Sequence, residues 1–63
     1  MTELQRMYND MLVALERGIT DVEKFEDGNS SAGTRVRKNM QNIKDLAQKV
    51  RVKVQSIKNS VAA

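Results

Sequence analysis

Asp27-Gly28-Asn29 is the one strong punctuation mark in a 63-residue chain that has no proline and is built largely of helix-forming residues. Glycine suits the left-handed residue after a helix end, and Asn29 or Ser30 offers the side-chain oxygen that caps the next helix. Upstream, Thr2-Glu3-Leu4-Gln5 reads as a capping box, with Thr2 as N-cap and Gln5 reaching back. The break therefore divides two helices, over residues 3–27 and 30–60, with a turn at 28–29. The expected fold is all-α, one domain over residues 1–63, an antiparallel helical hairpin of coiled-coil type.

Both arms carry a seam. Positions 4, 8, 11, 15, 18, 22 and 25 alternate spacings of four and three, and the same rhythm runs from Gly33 through Val36, Met40, Ile43, Ala47 and Val50 to Val61. A hairpin whose paired numbers total 58 sets Phe25 against Gly33, Gly18 against Met40 and Met11 against Ala47. Large then meets small, which keeps seam volume even and accounts for glycines that otherwise cost about 1 kcal/mol each in a helix. Met7, Leu12, Ile19 and Leu46 are left flanking the seam, and Ile57 and Val61 overhang it. A chain this short makes a marginal core alone, so these six are the expected interface of a homodimer, closing into a four-helix bundle or a longer antiparallel coil.

Composition excludes several functions. There is no cysteine and no histidine, hence no disulfide, no thiolate zinc site and no imidazole base; neither enzymatic catalysis, a metal, a cofactor nor a small-molecule substrate is expected. No apolar run approaches the roughly 20 residues of a membrane span, and Met1-Thr2-Glu3 is unlike the start of a secretory signal, so a cytoplasmic protein is expected. A basic amphipathic helix lying on a membrane fits the charge but lacks the tryptophan and bulky apolar face usual there.

Net charge is only +3, but residues 1–27 carry −4 and residues 28–63 carry +7. Four of the bases, Arg37, Lys44, Arg51 and Lys58, recur every seven residues and form one stripe. At about 1.5 Å per residue the stripe is roughly 32 Å long, close to one turn of a DNA duplex. The flank it should meet on the first helix holds Gln5, Leu12, Ile19 and Glu26, so only one acid is in line to neutralise it. Arg35, Lys38, Lys49 and Lys53 broaden the basic surface. These eight residues are the candidate DNA-binding set. The start of the second helix, Asn29 to Ala32, adds backbone N–H groups that attract phosphate, one turn before Arg35, Arg37 and Lys38. The bland alternative is a solvated face whose stems cover Leu12 and Ile19 or whose heads pair with another chain's acids.

Two motif matches carry nothing. Gly28 to Arg35 has P-loop glycine spacing, but Thr34 stands where the lysine belongs and no strand precedes it. Asn29-Ser30-Ser31 fits a glycosylation sequon without an export signal. The two aromatic residues, Tyr8 and Phe25, both fall on the expected seam, which argues against single-strand stacking or base readout.

The box Gly28-Asn29-Ser30-Ser31-Ala32-Gly33-Thr34-Arg35-Val36-Arg37-Lys38, continuing through Met40-Gln41, Ile43-Lys44-Asp45-Leu46-Ala47-Gln48 and Arg51, resembles the bacterial linker-histone-like family of the chlamydial DNA-condensing type. The resemblance covers most of residues 20–58 and implies a nucleoid-associated, DNA-compacting role. Chlamydial members carry a long Lys/Ala-rich tail, and this sequence ends at Val61-Ala62-Ala63, as a short form would. Residues and resemblance together lead to a dimeric, histone-like protein that binds double-stranded DNA without sequence preference. The alternative is a helical interaction and oligomerisation module with weak or no DNA binding.

Overall fold

The computed structural model describes residues 1–62. Helix α1 spans Glu3–Glu26 and helix α2 spans Ser30–Ala62, two residues past the expected end, because nothing in Asn59-Ser60-Val61 breaks it. The Thr2 hydroxyl accepts from the Gln5 N–H at 3.1 Å, and Gln5 Oε1 accepts from the Thr2 N–H at 3.1 Å, so the capping box closes in both directions. At the other end Asp27 is the C-cap, and Gly28 takes the left-handed backbone, φ 104°. The Asn29 N–H donates to the Lys24 carbonyl and the Gly28 N–H to the Phe25 carbonyl, both at 3.0 Å, the two bonds of a Schellman ending. Asn29 then caps α2, its Oδ1 accepting from the Ala32 N–H at 3.2 Å.

The arms pack antiparallel as expected, but the seam is turned. The less exposed positions of α1 are 4, 7, 11, 14, 18 and 21, and those of α2 are 32, 36, 39, 43, 46, 50 and 53, with Val13, Gly33 and Ala47 also half covered. Every second seam position thus lies one residue earlier than the sequence reading placed it. Gly18 faces Asn39 rather than Met40, a Cβ built on it falling against the Asn39 amide. Phe25 does cover Gly33, where an added Cβ would sit 2.6 Å from the ring. Met7 and Leu46, expected outside the seam, are half-buried in it, while Tyr8, Leu15, Val22, Met40 and Val54 face out.

The reason is close approach. The two fully buried residues among those described are Gly18 and Ala32, and Ala14 and Gly33 are half covered beside them. Small side chains let the helix axes come together, and polar residues, Asp21, Asn39 and Lys53, occupy seam positions that an aliphatic core would reserve for leucine. The result is a thin rod, 54 × 20 × 10 Å, with almost no dry interior. Because Lys53 sits at the level of Glu3, the last turns of α2 project past the start of α1 by roughly 13 Å.

Candidate nucleic-acid interface

The turned seam sorts the basic residues into two groups. Arg37, Lys44, Arg51 and Lys58 lie on the outer edge of α2, all exposed. Stepping four residues on, about 40° around the helix, Gln41 and Gln48 run beside them, neutral and able to hydrogen-bond. Lys38 lies about 100° from Arg37 and still opens to solvent. The other three are not brought onto this edge. Arg35 and Lys53 lie about 160° from their stripe neighbours, and Lys49 about 140° from Lys44, toward the opposite face of the hairpin.

Two of those three are already engaged. Arg35 Nε donates to Asp21 Oδ1 at 2.9 Å, and Lys53 Nζ lies 2.9 Å from Glu3 Oε2. The Lys53 hydrogen bond and charge hold the Glu3 carboxyl below its usual range. Among the described residues these are the ion pairs, and no member of the stripe joins one. α1 therefore neutralises the bases that border the polar side of the seam and leaves the stripe bare. At the start of α2, the Ala32 N–H donates to Asn29 Oδ1 and the Asn29 N–H to the Lys24 carbonyl, so two of the four donors from Asn29 to Ala32 are already engaged.

The stripe has an apolar neighbour that the sequence reading had assigned to the core. Tyr8, Leu15 and Val22 of α1 lie across a shallow groove from Met40 and Ala47 of α2, with Leu12 and Ile19 outside them on α1. Tyr8 is 67% exposed and Ile19 56%. Arg51 forms part of the wall of this groove, and Arg37 and Lys44 line the next one, with Val36 and Met40. One long face of the hairpin is thus apolar down its middle and basic along its α2 edge. Its bulky residues share the period of the seam, which is why hydrophobicity alone could not separate the two stripes. Of the six residues expected at a dimer interface, Leu12 and Ile19 lie on this face, Ile57 and Val61 are exposed on the overhang, and Met7 and Leu46 are half-buried in the seam.

The chain is a two-helix hairpin with an exposed basic edge on α2, and no helix among the described residues is long and apolar enough to cross a membrane. The family model for the histone H1-like protein Hc1 matches residues 4–60, nearly the whole chain, and the protein belongs to that family. No curated protein and no solved structure matches it.

Proposed function

We propose that the protein binds double-stranded DNA through its phosphates, without sequence preference, and organises or compacts it in the nucleoid within the cytoplasm. The observation that carries this reading is the stripe Arg37, Lys44, Arg51 and Lys58, four exposed bases about 32 Å from end to end with no acid among the described residues paired to them. Binding of this kind draws on counterion release from the duplex rather than on base edges. Tyr8 and Phe25 both belong to α1, off the basic edge, which fits a surface that reads no bases. Lys38 extends the contact, and Lys49 contributes to the field from the far side. Self-association is the second part of the proposal, since a hairpin with so much apolar surface exposed is half of a larger particle.

The test is a gel-shift series on random duplex DNA at two salt concentrations, with light scattering for mass. Expected are binding to all duplexes alike, a steep loss of affinity with salt, and a particle of twice 7.1 kDa or more. Binding that ignores salt, or no binding at low salt, would remove the DNA reading. The exposed apolar face favours one other reading, a helical interaction module for acidic protein partners, and capture of such helices without any duplex binding would install it.

A further inference from the structure

We infer that a second copy of this chain covers the apolar face by a two-fold axis parallel to the helices, setting α1 of each chain on α2 of the other and the two basic stripes on opposite edges of the bundle. The dimer is then a bridge between two duplexes. This deepens the DNA-binding proposal and rests on it.

The exposed area says that something is missing. The hairpin exposes 5154 Å², whereas a compact monomer of its mass exposes about 4,100 Å². The difference, about 1,000 Å², is close to the roughly 800 Å² that each partner buries in an ordinary protein interface.

Only two isologous ways of stacking the apolar faces of two such hairpins keep all helices aligned. With the axis across the helices, like lies on like. The bulky α1 residues Tyr8, Leu15 and Val22 then press on their own copies, and the thin α2 row of Gly33, Met40 and Ala47 faces another thin row. Both stripes share one edge, four bases from each chain with no acid between them. With the axis along the helices, bulky lies on thin. Symmetry then permits no sliding, so the partner's α1 stands level with the chain's own α1 and keeps its heights along α2. The partner's Tyr8 falls at the level of Ala47 and Val50, the partner's Leu15 at that of Met40, and the partner's Val22 near Val36. Large lies on small where Tyr8 meets Ala47, residues of similar size meet where Leu15 meets Met40, and none of the bulky α1 residues is set on its own copy.

Charge selects the same arrangement. The partner's Leu12 and Ile19 come level with Lys44 and Arg37, whose stems can cover them. The partner's Glu16 and Glu23 lie just outside, within one helical turn of those two bases. Arg51 and Lys58 lie beside the partner's Gln5 and Thr2, which carry no charge, and stay open to phosphate. Each edge of the dimer therefore keeps a basic end, and the two edges face apart.

The chain has no native cysteine, so introduced pairs report directly. Leu12 and Lys44 lie on opposite outer edges of one hairpin and become neighbours only across the inferred dimer. Full-length protein carrying Leu12→Cys and Lys44→Cys, oxidised with glutathione disulfide at micromolar concentration, should run mostly at twice the chain mass, with the 12–44 linkage found by peptide mass mapping. Each single variant should stay monomeric on a non-reducing gel. A 12–12 linkage in the Leu12→Cys single variant, with no 12–44 linkage mapped in the pair, would establish the like-on-like arrangement and overturn the inference. Monomeric wild-type protein at every concentration, with or without binding to anionic vesicles, would overturn it too. Wild-type protein should also retain a labelled duplex on beads carrying a second, unlabelled duplex. A mapped 12–44 dimer that binds no DNA defeats the DNA reading and leaves the topology standing. DNA binding without capture of a second duplex defeats the bridge and leaves the DNA reading standing.

Discussion

The two helices share one seam rhythm and differ in what they set beside it. Next to its seam, α1 places a second apolar row, Tyr8, Leu15 and Val22, and then a third, Leu12 and Ile19. At the matching steps α2 places the slighter row of Gly33, Met40 and Ala47 and then the bases Arg37, Lys44, Arg51 and Lys58. Several bulky residues of α1 are thus spent on the outer face, while the contact between the helices pairs Ala14, Gly18, Ala32 and Gly33 with half-buried Leu4, Met7, Met11, Val36, Ile43, Leu46 and Val50, and with Asp21 and Asn39 among them. In the proposed reading, the apolar face of α1 serves assembly and the basic edge of α2 meets phosphate.

The largest effect comes from removing the charged side of that contrast. Changing Arg37, Lys44, Arg51 and Lys58 together to glutamine keeps helix propensity, so the hairpin should fold with an unchanged circular dichroism spectrum. Affinity for every duplex should fall alike, and the slope of log affinity against log salt should flatten by roughly 0.9 per lost phosphate contact. That is about 3.6 per chain where all four bases meet phosphate and about 1.8 where the dimer leaves only Arg51 and Lys58 open. If the variant keeps the parent's affinity and slope, the stripe is a solvated face and the division of labour between the helices fails.

The next effect tests the small-residue seam. Gly33→Leu drives a side chain into Phe25, whose ring already lies within van der Waals distance of any added Cβ, and should destabilise by about 1–3 kcal/mol. In a thermal melt that is about 4–8 °C per kcal/mol for a domain of this size. Gly28→Ala meets open space but inherits φ 104°, and should cost about 1 kcal/mol through backbone strain alone. An unchanged melting temperature for Gly33→Leu would mean that the helices can separate there at no cost.

A smaller effect sharpens the contrast by moving a base from one side to the other. Asp21→Asn releases Arg35 from its 2.9 Å pair. Stability should fall by less than about 1 kcal/mol, since Arg35 is half exposed. If the freed guanidinium reaches phosphate, the salt slope should steepen by up to about 0.9. A weaker, shallower response would place Arg35 outside the footprint.

The hairpin, its caps and its charge asymmetry were legible because each rests on local chemistry: Thr2 with Gln5, Gly28 at the left-handed step, Asn29 over Ala32. The seam was half legible. Positions 4, 11, 18 and 25 and positions 36, 43 and 50 stand where the rhythm put them, but the alternate rows were assigned to Tyr8, Leu15, Val22 and Met40 because those are the hydrophobic choices. Two adjacent apolar stripes have the same period, and periodicity does not say which one faces the chain's own second helix. Residue size does say it: alanine and glycine at 14, 18, 32 and 33 mark the line of closest approach. For the candidate site, the stripe is visible as a seven-residue repeat, while the capture of Arg35 and Lys53 by Asp21 and Glu3 depends on the register and could not be read before it was known.

The smallest effect lies at the far end of the seam, where the polar and basic halves meet once more. Glu3 accepts a 2.9 Å contact from Lys53, and this hydrogen bond and charge hold its carboxyl below the usual range. A carboxyl whose value is depressed on folding adds stability that is fully present above its unfolded value, about 4.3, and that fades as pH falls through the lower folded one. The pair is exposed and should be weakened further by salt. Glu3→Gln should therefore leave the melting temperature nearly unchanged at pH 3, lower it slightly at pH 7, and shrink that difference at high salt. Lys53→Met should do the same at pH 7 while removing a base that faces away from the stripe, so the duplex salt slope should hardly change. If the slope instead flattens by about one unit, Lys53 leaves Glu3 for phosphate on binding, and the basic edge of α2 is wider in the complex than in the free hairpin.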